Sequence, residues 1–210
     1  MINLKNVTFK WHQSDSSLTL NIKELVIEKS EHIFLHGPSG SGKSTLLAIL
    51  AGINTATSGE VSILNQNLTK LSNTTRDVFR ADHFGYIFQN FNLLPYLTPI
   101  ENITLGCEFS KSRKQKILKQ SSNKNSALQQ EAIRLLIALG LTPQYHHKDV
   151  ATLSIGQQQR VAAARAFIGS PELIIADEPT SALDTQNRES FIKLLFEQAK
   201  KSNSTLVFVS

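Results

Sequence analysis

The chain has 210 residues, 40% of them hydrophobic, with 22 basic against 17 acidic side chains and a net charge of +5. At ~100–200 residues per domain that is one large domain or two small ones of ordinary globular composition, so disordered and fibrous classes are excluded. The charge excess is local: Lys111, Arg113, Lys114, Lys116, Lys119 and Lys124 meet no acid, and without these six the balance is 16 against 17, which points to a solvated helix face or mobile loop and not to a nucleic-acid binder.

Taken in chain order, Leu4 to Phe9, Leu18 to Ile27 and the short apolar run Ile33-Phe34-Leu35 read as strands, the last of interior type. The stretch from His36 to Gly42 is too glycine-rich for a helix interior, whereas Lys43 to Ala51 is a good helix former that stops at Gly52. Glu60 to Leu64 belongs to a second strand pair. From about Leu71 to Phe167 the chain reads as helical with loops. Ser126-Ala127-Leu128-Gln129 opens one helix as a capping box, closed by Gly140, and Ser154-Ile155-Gly156-Gln157 opens another that runs to Gly169. Leu173-Ile174-Ile175-Ala176 is short and apolar enough for a buried parallel strand; a helix over about Asp184 to Lys201 and a strand over Thr205 to Val209 complete the pattern.

The single cysteine, Cys107, leaves no intramolecular disulfide and no thiolate cluster, which fits a reducing compartment such as the cytoplasm. No run approaches the ~18 apolar residues of a membrane span, and the start lacks a leader pattern, so neither export nor spanning is expected. Among the six histidines, His146-His147 reads as a surface loop and His32 and His36 as structural neighbours of a strand.

Chemistry concentrates in two places. Gly37-Pro38-Ser39-Gly40-Ser41-Gly42-Lys43-Ser44, followed by Thr45, fits the phosphate-loop pattern. Its glycines let backbone amides wrap phosphate oxygens, Lys43 reaches the β and γ phosphates, and the Ser44 hydroxyl suits Mg2+. Asp177 and Glu178 follow the buried strand; Asp177 suits the Mg2+ shell and Glu178 the polarisation of a water for in-line attack. Together they predict nucleotide hydrolysis.

Leu153-Ser154-Ile155-Gly156-Gln157-Gln158-Gln159-Arg160, just before the acidic strand, resembles the signature of ATP-binding cassette ATPases. Tyr86-Ile87-Phe88-Gln89-Asn90 resembles that family's Q-loop and Ser181-Ala182-Leu183-Asp184 its D-loop, while Trp11 falls where an aromatic stacks on adenine. With Phe84 to Gln89 and Leu93-Leu94-Pro95, the chain is most similar to the lipoprotein-releasing and macrolide-export type.

The resemblance implies an α/β P-loop core with an antiparallel β subdomain and an inserted helical subdomain within about 71–168, all in one nucleotide-binding domain over 1–210. It implies catalytic roles for Glu178, Gln89 and Lys43, and Mg2+ held by Ser44, Gln89 and Asp177. It further implies a head-to-tail homodimer in which Ser154, Gly156, Gln157 and Asp184 contact the nucleotide of the second copy, with Ile155 replacing a usual glycine. The partner is a transmembrane permease subunit whose coupling helix fits the groove after Gln89, and the location is cytoplasmic and peripheral on the inner face of the membrane. A soluble or regulatory ATPase of the same family, in mechanotransmission, DNA repair or translation, is the alternative. The family places a histidine directly after the last strand, where this chain ends at Ser210, so the expectation is a C-terminally truncated chain that binds ATP and hydrolyses it weakly.

Overall fold

The computed structural model describes residues 1–12, 17–38, 40–181 and 183–210. In chain order its strands are β1 (Ile2–Phe9), β2 (Leu20–Ile27), β3 (His32–Leu35), β4 (Ser58–Ile63), β5 (Gln66–Asn67), β6 (Phe84–Ile87), β7 (Leu173–Asp177) and β8 (Thr205–Val209). The helices are α1 (Lys43–Leu50), α2 (Asn73–His83), α3 (Pro99–Thr104), α4 (Lys111–Gln120), α5 (Ala127–Ala138), α6 (Ile155–Phe167) and α7 (Thr185–Lys201).

Two sheets result. The antiparallel one has the order β2-β1-β4-β5 and the parallel one β3-β8-β7-β6. In β1 the buried positions run Ile2, Leu4 and then Val7, Phe9, a one-residue slip of the period-2 pattern. The slip is made at a bulge between Lys5 and Thr8 in the pairing with β4, where Asn6 takes φ 50°. Without it half of the strand would present its apolar side chains to solvent.

Within the parallel sheet β7 is buried on both faces, which is why its sequence is apolar throughout. Leu173 and Ile175 join Leu47 and Leu50 of α1 and the antiparallel sheet in one core, while Ile174 and Ala176 join Phe167 of α6 and Phe191 and Leu195 of α7 in the other. The helix α6 comes very close to β6 at Gly85: a Cβ there would lie 2.1 Å from the carbonyl oxygen of Ala166. Glycine is therefore required, and the buried alanines 162–164 and 166 of α6 are the complementary small surface.

Several expectations are corrected. Ile33-Phe34-Leu35 is not interior: among the described residues β3 pairs only with β8, and Phe34 is 54% exposed, stacked on Phe208 at 5.3 Å. The stretch 71–167 is not helical throughout, because Phe84–Ile87 is the outer strand β6 beside β7. Ser126 makes no side-chain cap to α5, and its Oγ is buried without a partner among the described residues.

The basic stretch is in part the solvated helix face expected, with Lys111 and Lys119 exposed on α4 and Lys124 exposed beyond it. Arg113 of α4 departs from it: it is 5% exposed, with Nε donating to the Ile168 carbonyl at 2.7 Å and its terminal nitrogens to Phe84 and Ala166, both at 3.1 Å. Ser110 Oγ donates to Asp82, and Lys116 pairs with Glu172 at 2.9 Å. The helix is thus clamped to the ends of α2 and α6, where carbonyls without intrahelical partners need donors.

Candidate functional site

The phosphate loop is the turn between β3 and α1. Gly42 caps α1 at φ 90°, and a Cβ on it would lie 2.7 Å from Leu20 Cδ2 and 3.2 Å from the Thr19 carbonyl oxygen, so only glycine fits. The Ser41 amide donates to the Pro38 carbonyl at 3.2 Å and closes the turn. Lys43 Nζ bridges the loop, donating to Gly37 at 2.6 Å and Pro38 at 3.1 Å. A cavity of about 270 Å³ lies between Trp11 and the wall made by Gly40, Gly42, Lys43, Ser44, Thr45 and Glu178. Trp11 is 60% exposed and stands at right angles to Phe9, centroids 5.2 Å apart. Ser39, expected in the same cradle, lies outside the described residues.

The acids arrive from β7. Because Ile87 of β6 pairs with Ala176, the chain leaving β6 runs beside Asp177 and Glu178, and Gln89 Nε2 donates to Glu178 Oε2 at 3.3 Å. Glu178 has φ 44°, a left-handed conformation uncommon outside glycine, held by its amide on the Val209 carbonyl at 3.1 Å and by the Ser181 amide on its own carbonyl at 3.2 Å. Burial, with the adjacent Glu178 charge, raises the Asp177 carboxyl above its ordinary value, while Tyr86 and Lys43 oppose the rise. Tyr86 beside it is itself pushed up, first by burial and then by the Asp177 charge. Tyr86 also stacks on Phe88, centroids 4.2 Å apart.

A third group stands apart. Ser154 caps α6 reciprocally: its Oγ accepts from the Gln157 amide at 3.3 Å, and its own amide donates to Gln157 Oε1 at 2.9 Å. The amino end of α6 opens on the largest of the described cavities, about 650 Å³, with Ser154, Gly156, Gln157, Leu183 and Asp184 on its walls. Asp184 also caps α7, Oδ1 accepting from the Asn187 amide at 3.0 Å. This cavity shares no lining residue with the one at the phosphate loop. The structure therefore brings Trp11, the loop, Gln89, Asp177 and Glu178 together, and leaves Ser154, Gly156, Gln157 and Asp184 on a separate cavity.

His146 departs from its expected surface position. It is 2% exposed, with Nε2 at 2.9 Å from the Leu141 carbonyl oxygen, so it closes the turn after α5. His36 does lie near the phosphate loop.

Comparison with known proteins agrees with this geometry. Residues 20–181 match the ABC transporter family. The chain is 43% identical over 187 residues to the ABC transporter ATP-binding protein YbbA of Escherichia coli, covering 89% of this chain and 77% of that one. It is 37% identical over 195 residues to the lipoprotein-releasing system ATP-binding protein LolD of Psychrobacter arcticus, covering 93% and 81%. The solved dimeric structure of the cassette MJ0796 bound to ADP and Pi superimposes with a TM-score of 0.85 at 34% identity, over 100% of this chain and 88% of that one; MJ0796 comes from Methanocaldococcus jannaschii. With a phosphate loop, an acidic strand end and a capped signature helix in place, the chain belongs to the ABC transporter family as an ATP-binding, ATP-hydrolysing cassette.

Proposed function

We propose that two copies of this chain close head to tail over two ATP molecules and thereby drive a separate membrane permease, each site being built from one copy's phosphate loop and the other's signature helix. The observation that carries this reading is the separation of the two cavities. The amino end of α6 offers free amides and a positive dipole end suited to an anion, and its cavity shares no lining residue with the one at the phosphate loop. A symmetric pair supplies both halves twice. The dimeric MJ0796 structure supports the arrangement by analogy.

Within each site, adenine stacks on Trp11, the loop 37–45 cradles the triphosphate, and Lys43 neutralises the β and γ phosphates. The donors available for a divalent cation are the Ser44 hydroxyl, the Asp177 carboxylate and the Gln89 side-chain oxygen. This is an all-oxygen set, and a cation would offset both the burial and the Glu178 charge that raise Asp177, so the residues fit Mg2+. When bound, it supplies charge neutralisation between the phosphates. Glu178 takes a proton from the attacking water, and its hydrogen bond from Gln89 holds the carboxylate in place.

No helix of the described residues is long and apolar enough to cross a membrane. The permease is therefore a different segment or chain, and we place this one peripherally on the cytoplasmic face beside it, with the loop after Gln89 as the docking groove. Glu178→Gln preserves shape without the base, so it should retain Mg-ATP binding, lose turnover about 10²–10³-fold, and accumulate as an ATP-dependent dimer on size-exclusion chromatography. A monomer with ATP bound would remove the two-copy site.

A further inference from the structure

Two side chains of α6 reach the backbone on either side of the Gln89–Glu178 hydrogen bond, and the reaction described above uses neither. Arg165, the eleventh residue of the helix, forks onto the chain just beyond Gln89, its terminal nitrogens donating to the carbonyls of Phe91 and Asn92. Those two residues are both left-handed, with φ of 58° and 50°, a conformation that side-chain-bearing residues hold only where the surroundings impose it. The Phe91 amide on the Phe88 carbonyl at 3.0 Å shapes the bend; the Arg165 fork ties it to α6. On the other side, Gln159 is fully buried and donates Nε2 to the carbonyl of Pro179, the residue after Glu178. Its Oε1 is buried without a partner among the described residues, so this amide is kept at a cost for the one bond it donates. The two side chains are six residues apart, about 9 Å along the helix, and α6 is seated on β6 at Ala166, where a Cβ on Gly85 would lie 2.1 Å from its carbonyl oxygen.

We propose that Arg165 is a positioning residue for ATP hydrolysis: from a helix that Gln159 anchors beside Glu178, it fixes the bend after Gln89 and so sets where Gln89 meets Glu178. The inference rests on the roles given above to Gln89 and Glu178 and deepens them. Gln89 is exposed, and its side chain reaches Glu178 Oε2 at 3.3 Å, so the direction of that side chain depends on the backbone that carries it. A strained bend left unbraced relaxes toward ordinary backbone angles and carries Gln89 with it. The planar guanidinium suits the task because its two parallel donors meet two successive carbonyls at once, which a single ammonium does not do with the same fixed orientation. Arg165 touches neither nucleotide nor water in this role and acts only through Gln89.

The test is a double-mutant cycle on phosphate release, measured over a range of Mg-ATP concentrations for wild type, Arg165→Ala, Gln89→Ala and the double variant. We expect Arg165→Ala to lower kcat about tenfold with KM for ATP within twofold of wild type, and Gln89→Ala to lower kcat about tenfold or more. In the Gln89→Ala background, adding Arg165→Ala should change kcat by less than about twofold, because its effect has already been removed. Arg165→Lys keeps the charge and the stem but not the fork; it should lose about threefold alone and nothing further beside Gln89→Ala, and it carries the cycle if circular dichroism shows Arg165→Ala to be unfolded. A residue that only stabilises the fold would cost the same factor in both backgrounds, and that result would overturn the proposal, as would a fully active Arg165→Ala. A wild type that binds Mg-ATP without turnover, or a Gln89→Ala as fast as wild type, would instead overturn the reading of the Gln89–Glu178 pair, and this proposal with it.

Discussion

At the scale of single residues, Glu178 shows a cost accepted for function. Its φ of 44° costs a non-glycine residue about 1 kcal/mol, and the conformation turns the side chain out of the strand direction toward Gln89 and Lys43. Glu178→Gly should therefore leave thermal stability unchanged or raised by up to about 1 kcal/mol while abolishing turnover; clear destabilisation on melting would show that the carboxylate is part of the structural framework. Tyr86 makes the complementary case. Its hydroxyl interacts with the Asp177 carboxylate and lowers it, and a hydrogen bond to a charged group contributes about 1.5 kcal/mol, so Tyr86→Phe should raise the Mn2+ concentration needed to saturate nucleotide-bound protein about tenfold. Electron paramagnetic resonance of Mn2+ in the presence of ATP measures this directly, and nucleotide affinity in excess chelator should not change.

At the scale of elements, α4 is held by contacts that titrate. Burial raises the Glu172 carboxyl, but hydrogen bonds from His83 at 3.0 Å and Lys116 at 2.9 Å outweigh it and bring the group down to about 2. A carboxylate depressed in this way stabilises the fold fully above its unfolded value near 4.5, and that contribution is lost as pH falls through the folded value near 2. Glu172→Gln should cost about 1–2 kcal/mol at pH 7, discounted for partial solvation, and flatten the acid limb of a denaturation profile between those two values; an unaltered limb would show that Glu172 does not couple α4 to the core. The same region shows what sequence could not disclose. The phosphate loop and β7 were legible because their constraints are local: a turn that excludes Cβ atoms and a strand apolar on both faces. The cap at Ser154 was equally local, its two partners lying three residues apart. Arg113 reads in sequence as part of a solvated run because nothing near it marks the carbonyls of Phe84, Ala166 and Ile168, which converge on it only in the folded chain. Four-residue β6 is not legible for a related reason, since its identity as a strand comes from pairing with β7, and the sequence of β3 does not reveal its edge position because a short apolar run does not distinguish an edge from a centre.

At the scale of the whole molecule, the decisive fact is that one chain carries two cavities, at the phosphate loop and at the α6 end, with no lining residue in common. If each functional site joins the phosphate loop of one copy to the α6 end of another, two differently damaged chains can repair one another. Lys43→Ala removes the cationic ligand of the phosphates and leaves its own Ser154 intact; Ser154→Arg places a bulky charged side chain at the α6 end and leaves its own phosphate loop intact. Each variant alone should hydrolyse ATP at background rate. In an equimolar mixture half of the pairs are mixed, and each mixed pair contains one undamaged site, so roughly a quarter of the wild-type sites are restored. Turnover in the mixture should rise above the mean of the separate variants toward that fraction, and should fall again on dilution as pairs dissociate. A mixture no more active than its components, with both variants folded by circular dichroism, would mean either that a single site cannot fire alone or that the α6 end serves its own chain. Repeating the mixture with Lys43→Ala and wild type separates these, since a pair with one intact site must then supply activity or fall silent.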